Sequence, residues 1–318
     1  MKSNLIYFAK KLLVMIVTLI AVSFLVFLAF EIIPGDVAVS QLGTEATPER
    51  VAALRHELGL DRPFLVRYGD WILSYIKGDF GTSYSYHIPV SSMIAQKIPI
   101  TLAMSLIAFV ITIAISLPLG VEMAKRVGSK VDKCVYTANQ VVMSVPEFFL
   151  GIIITYVFGL VLHWFKPGGY VSYTVSFGRF IGYLIFPSIA IALPKIAMTV
   201  KLLRSSIITE SKKDYVRTAY SRGNSTTQVL YKHVLRNAMI PVVTFLGMVF
   251  TNMIAGSIVV EQVFNIPGLG RILLTSISNR DYPVTQAIIL LIAALVIVVN
   301  FIVDIIYHIL DPRVGGDK

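Results

Sequence analysis

The chain has 318 residues, 56% of them hydrophobic and 14% charged, with a mean hydropathy of +0.75. A water-soluble domain of that composition would expose more apolar surface than water tolerates, so the class is integral membrane protein. The formal net charge of +10 does not indicate nucleic acid, because the Lys and Arg residues cluster beside apolar runs instead of forming a separate basic domain.

Lys10 and Lys11 precede an uncharged run from Leu12 to Phe30, 19 residues ending at Glu31. At 1.5 Å per residue it is roughly 28 Å long, enough to cross the hydrocarbon core. A secretory signal with Ala38-Val39-Ser40 as a weak cleavage site is the competing reading, but a signal's apolar core is shorter. The run is therefore expected to be a retained first span. The polar interval Ile32 to Lys97 follows. Pro34-Gly35-Asp36 is expected to break the helix, and Thr47-Pro48 to cap and start another with Val51, Leu54 and Leu58 on one face. Gly59 to Pro63 ends that helix. A further helix is predicted from about Phe64 to Ile76 with Leu65, Tyr68, Ile72 and Tyr75 on one face, closed by Gly78-Asp79-Phe80-Gly81-Thr82-Ser83.

The second span is the run Ile98 to Val121, with Pro99 and Pro118 near its ends. Lys125, Arg126, Lys130 and Lys133 follow, which places that loop on the cytoplasmic side. The third span is expected from near Cys134 to about Leu162, kinked at Pro146. Glu147 follows the proline at membrane depth, where an ionisable group needs a partner or a wet cavity. Two readings stand there: a lining residue of a translocation path, or a carboxylate bonding backbone groups that the proline frees. Cys134, the only cysteine, excludes an intrachain disulfide and reads as a small apolar residue at a helix start. The five histidines lack metal-ligand spacing, so no metal site is expected.

His163 to Gly178 is expected as an external loop. The fourth span runs from about Phe180 to Leu203 through Pro187 and Pro194, with Lys195 snorkelling to the interface and a pore charge as the alternative. Then comes the long basic interval Glu210 to Pro241. Tyr215, Val216, Ala219 and Tyr220 recur at three- and four-residue spacing, which puts them along one face of a short amphipathic helix ended at Gly223, its other face cationic; on that pattern alone it reads as a basic loop helix lying on anionic headgroups. The fifth span is Asn237 to Val260, where Gly247 and Gly256 allow close packing and Asn252 can hydrogen-bond across an interface. Glu261 to Gly270 reads as an external loop, and the sixth span as Tyr282 to Val303 before Leu310-Asp311-Pro312-Arg313. With six spans and both termini inside, 18 of the 28 Lys and Arg residues fall on the cytoplasmic side.

Arg217-Thr218-Ala219, Gly223, then His233-Val234-Leu235-Arg236-Asn237 and Pro241 resembles the cytoplasmic coupling segment of ABC importer permeases, in the dipeptide, oligopeptide and nickel branch. It departs from the wider consensus at Arg217-Thr218 and at Leu235-Arg236, as that branch typically does. Pro34-Gly35-Asp36, Gly59 to Pro63, Gly78 to Ser83, Glu261 to Gly270 and Arg280-Asp281-Tyr282-Pro283 resemble the same family, so the likeness covers nearly the full length.

The resemblance implies an all-α membrane protein with the type I ABC importer permease fold. It divides the chain into residues 1–31 as N-terminus and first span, 32–97 as an external helical loop, and 98–318 as a five-helix permease core with its coupling segment at 204–236. It implies contact with an ATPase through Asp214, Tyr215, Arg217, Thr218, Ala219, Gly223, His233, Arg236 and Asn237. Pro146, Glu147 and Asn252 are the translocation-path candidates. Asp79, Phe80, Gly81, Phe264, Pro267 and Gly268 are the candidates for docking an extracytoplasmic binding protein.

The implied partners are two ABC ATPase subunits, a homologous second permease, that binding protein and membrane lipid, in a bacterial or archaeal cell membrane. The implied cargo is di- or oligopeptides, with nickel or a metal chelate as the alternative. The chain has no Gly-x-x-x-x-Gly-Lys-Ser/Thr loop, so it is expected to bind no cofactor and to be no enzyme, with ATP and Mg on the partner subunits. A self-sufficient channel or secondary transporter is the alternative of another class; no inverted pair of broken helices in the two halves supports it.

Overall fold

The computed structural model describes residues 2–32, 37–57 and 59–310. The expected break at Pro34-Gly35-Asp36, the face residue Leu58 and the Asp311-Pro312-Arg313 ending lie outside them. In chain order the helices are α1 (Lys2–Ile32), α2 (Val37–Leu42), α3 (Pro48–Glu57), α4 (Phe64–Ile76), α5 (Val90–Ala95), α6 (Ile98–Lys125), α7 (Lys130–Ser144) and α8 (Glu147–Ile154). After these come α9 (Phe177–Glu210), α10 (Asp214–Ser221), α11 (Thr226–Gln228), α12 (Leu235–Val263), α13 (Leu269–Ser278) and α14 (Tyr282–Leu310). π-Helical turns extend α8 over Thr155–Val161 and join α11 to α12 over Val229–Val234.

Among the described residues five helices are long and apolar enough to cross a membrane: Tyr7–Ile32, Val90–Lys125, Phe177–Glu210, Thr226–Val263 and Tyr282–Ile305. A sixth crossing is made if α7 and the extended α8 count as one span, bent by 102°. That bend corrects the expected kinked third span. Val145 is extended, as the residue before a proline prefers, and Pro146 continues extended at ψ 143°, so one helix ends and another begins. Ser129 starts the first of the pair by accepting from the Asp132 N–H at 3.1 Å.

Two other spans outrun their sequence boundaries. α9 has 34 residues, about 51 Å of helix, against a hydrocarbon core of about 30 Å. Pro187 and Pro194 lie inside it without ending it. The fifth crossing starts at Thr226 instead of Asn237 and continues past Glu261 to Val263. Glu261 is therefore helical and fully buried, accepting a hydrogen bond from Thr101 at 2.5 Å, and not the first residue of a loop. Gly247 works as expected: a Cβ there would collide with the Val303 side chain.

The chain divides into two compact units, Met1–Ile100 with Gly268–Val298, and Thr101–Pro267 with Val299–Lys318. In the first unit, α4 packs on α1 through aromatic rings. Phe64 and Tyr68 meet Phe24 and Phe27, and Trp71 meets Phe27, with centroids 5.3–5.8 Å apart. The Tyr68 hydroxyl shares a 2.8 Å hydrogen bond with Ser23. The packed face of α4 is thus Phe64, Tyr68, Trp71 and Tyr75. Leu65, expected on it, is 70% exposed, because the bulky rings took the α1 side. In the second unit, α9 and α12 form the centre, with Leu184, Ile191, Leu203, Val242, Met253 and Ile254 buried.

Candidate functional site

The basic interval builds a short helix clamped between two long ones. α10 opens with Asp214 in its first turn, where a carboxylate suits the positive end of the helix dipole. Val216 and Ala219 turn inward, at 2% and 6% exposure, onto Leu203, Ile207, Val229, Val234 and Ala238. Asp214, Arg217, Thr218 and Ser221, spaced i, i+3, i+4, i+7, form the exposed face. Tyr220 is exposed as well, so it does not share the face expected of it.

Gly223 ends the helix with φ +81° and open space around its α-carbon. Its N–H donates to the Tyr220 carbonyl at 2.9 Å, and the Asn224 amide donates to Ala219 O at 3.0 Å. Glycine is required there for its backbone conformation, and nothing else in this chain crowds the position.

Side chains fix α10 to both neighbours. The Tyr215 hydroxyl donates to Glu210 at 2.8 Å and accepts from the Asn237 amide at 3.1 Å, while Lys213 pairs with Glu210 at 2.7 Å. Burial, helped by the Glu210 carboxylate, raises the Tyr215 hydroxyl above its ordinary range, although Asn237 opposes the shift. His233 is half-buried and Arg236 exposed. Below this helix Arg204 forms a two-pronged pair with the buried Asp132, both contacts 2.7 Å, tying α9 to α7. Sequence reasoning missed Glu210 and Asp132. The Ser129-x-x-Asp132 spacing was a usable capping signal for the latter.

The break at Pro146 carries the second constellation. Glu147 is the first residue of α8, and its Oε1 lies 2.8 Å from Lys195 Nζ on α9, with side-chain exposures of 20% and 17%. Lys195 therefore has a carboxylate partner within the chain, which the expectation of a snorkelling side chain did not include. Gly256 on α12 makes room for it: a Cβ there would stand 2.9 Å from Glu147 Oε2. Asn252, one turn before Gly256, lies on an exposed stripe with Met248 and Val259, while the adjacent Thr251 is buried and donates to the Asn300 amide oxygen at 3.0 Å.

The docking candidates separate by unit. In the first, Asp281 is fully buried and accepts from Ser83 Oγ at 2.5 Å and from the Tyr84 and Ser85 N–H groups at 3.1 and 3.3 Å. The Gly78–Ser83 and Arg280–Pro283 stretches, some 200 residues apart, are thus bound to each other. Burial, with the Asp281 charge beside it, raises the Tyr84 hydroxyl to about 12. Asp79 and Gly81 are exposed and linked, the Gly81 N–H donating to the Asp79 carboxylate at 2.9 Å; Phe80 is half-buried. In the second unit Phe264 is 2% exposed, close over Gly151, with its carbonyl accepting from Tyr183 at 2.7 Å. A buried ring offers a partner no surface, so it anchors its loop. Pro267 is half-buried; Gly268, buried, opens the return segment of the first unit.

Residues 116–316 match the family model described as binding-protein-dependent transport system inner membrane component, and residues 4–105 match the model of that system's membrane component N-terminal region. The chain is 39% identical over 308 residues to a putative peptide transport system permease protein of Brucella abortus, covering 97% of this chain and 98% of the relative. It is 34% identical over 309 residues to a probable peptide ABC transporter permease of Sinorhizobium fredii, at 97% and 99% coverage. The oligopeptide transport system permease protein AppB of Bacillus subtilis is 35% identical over 311 residues, at 97% and 98%. With its apolar spans, its polar breaks and these matches over nearly its whole length, the chain belongs to the family of inner membrane components of binding-protein-dependent transport systems, as a multi-pass permease subunit without a catalytic site of its own.

Proposed function

We propose that this chain is one permease half of an ATP-driven importer of di- or oligopeptides. The observation that carries the reading is α10, a short helix with an outward polar face whose inward face and Tyr215 are fastened to α9 and α12. A push on such an element tilts the spans it is fixed to, which is how a partner's conformational change reaches a membrane path. The partners are two ABC ATPase subunits carrying ATP and Mg, a second homologous permease and an extracytoplasmic binding protein. Both termini then lie in the cytoplasm; the candidates for docking that binding protein are the Asp79–Gly81 turn in the first unit and, separately, the Pro267 loop in the second. Peptide cargo follows the names of the relatives, which include the glutathione transport system permease protein GsiC of Salmonella.

In this reading ATP binding closes the ATPases against Asp214, Arg217, Thr218 and Ser221, with His233 and Arg236 on the following helix beside them. The motion travels through Glu210, Tyr215 and Asn237. Glu147 with Lys195, and Asn252 on the α12 stripe, border the path. The test is affinity purification from native membranes with identification of what accompanies the chain, followed by titration of the accompanying binding protein with peptides and with nickel. Recovery of ATPases and a second permease, with peptide binding, is expected. Nickel binding in place of peptide would overturn the cargo, and recovery of the chain alone, moving solute in liposomes without ATP, would overturn the importer.

A further inference from the structure

Two cavities in the first unit share a wall, and their chemistries differ in a way that selects an occupant. One, about 360 Å³, lies at the Glu31 end of α1 and the Tyr282 end of α14, and carries both signs of charge. Arg67 pairs with Glu31 at 2.5 Å, Arg62 with Asp70 at 2.8 Å, and the exposed Asp79 stands beside them. The other, about 380 Å³, is almost entirely apolar and is bounded by Ile16 and Ile20 of α1, Ile76 of α4 and Leu290 and Leu291 of α14. Tyr75 and Phe80 line both. Each volume falls in the roughly 300–1,000 Å³ range of small-molecule sites.

Two side chains that line the first cavity each carry a donor that is left over. Arg67 Nε–H is buried with no acceptor, although the guanidinium's other end holds Glu31, and the buried Tyr75 hydroxyl has no acceptor for its proton. Buried donors are normally satisfied, so each calls for an acceptor oxygen, an anionic one at the guanidinium. The apolar cavity sits well below, for Ile20 and Ile16 are 12 and 16 residues in from Ile32, about 18 and 24 Å along the span. Beside it, α4 presents Leu65, Val66, Leu73 and Ile76 outward at 48–76% exposure, an apolar strip suited to acyl chains and not to water.

We infer that the two adjoining cavities take one membrane phospholipid with a zwitterionic, phosphoethanolamine-type headgroup, lying across the Tyr75–Phe80 wall: phosphate on Arg67 and Tyr75, ammonium toward Asp79, and an acyl chain between α1, α4 and α14. A headgroup of net negative charge fits less well, because Glu31, Asp70 and Asp79 outnumber the two arginines at the mouth. The site anchors α4 to the bilayer and is independent of what the permease carries.

The test is native mass spectrometry of the intact complex, purified in mild detergent after reconstitution with phosphatidylethanolamine, phosphatidylcholine or phosphatidylglycerol. One phosphatidylethanolamine per copy of this chain is expected to survive purification. Tyr75→Phe removes one donor at constant volume and should lower its retention about tenfold, the equivalent of one hydrogen bond to a charged group. Leu290→Trp fills the apolar cavity and should abolish retention, with the purified complex keeping its composition. Lipid-free wild-type complex, equal retention in both variants, preference for phosphatidylglycerol, or bound peptide in place of lipid would each overturn the proposal.

Discussion

Replacing Lys195 by Met tests how the membrane-embedded break is held. At 2.8 Å, and with an effective dielectric near 20, the Glu147–Lys195 attraction is about 6 kcal/mol, and each ion's desolvation opposes it by several kcal/mol. The pair as a whole therefore adds little over apolar residues of the same size. Removing one partner is different. Glu147 keeps 20% side-chain exposure and cannot swing toward α12 without meeting the backbone at Gly256, so Lys195→Met leaves a carboxylate uncompensated at a cost of about 3–5 kcal/mol. For a chain of 318 residues that is a fall in unfolding midpoint of roughly 4–8 °C, measured by scanning fluorimetry in detergent. Glu147→Gln together with Lys195→Met should recover at least about 2 kcal/mol of the loss. If Lys195→Met unfolds with the wild type, or the double variant is no better than the single one, the pair does not hold the break.

The two faces of α10 separate folding from coupling. Ala219→Asp puts a carboxylate among Leu203, Ile207 and Val234 and should cut the yield of folded protein sharply, read by size-exclusion profile. Arg217→Glu, on the exposed face, should leave yield and midpoint unchanged while transport and ATPase recovery collapse; retained transport would refute the outward face as the contact. Gly223→Ala meets no neighbour, so its cost is the left-handed backbone alone, about 1–2 kcal/mol, and a larger drop in midpoint would mean that the position is crowded. Ser83→Ala deletes a hydrogen bond to the Asp281 carboxylate worth about 1.5–3 kcal/mol and should raise proteolysis in the Gly78–Ser85 turn without changing overall yield; an unchanged cleavage rate would refute the latch.

Membrane class, the apolar spans and the polar breaks were legible from residue order, because each depends on local composition over a few helical turns. The Phe64–Ile76 helix and the Thr47-Pro48 start were legible for the same reason. The stretches from Gly78 to Ser83 and from Arg280 to Pro283 stood out separately in the sequence, but only the fold binds one to the other through Asp281.

Facing could not be read in the same way. A helix with Val216, Ala219 and Tyr220 has an amphipathic pattern whichever neighbour it meets, and packing against α9 and α12 chose Val216 and Ala219 for the interior. Lys195 and Glu147 are 48 positions apart, so nothing in their local surroundings announced an ion pair. The sequence determined that this chain spans a membrane, where its helices begin to be possible, and which stretches are polar enough to act outside the bilayer. The tertiary structure decided which charges meet, which glycines serve conformation and which serve contact, and whether Pro146 kinks a helix or ends it, because those outcomes depend on neighbours that only the folded chain brings within reach.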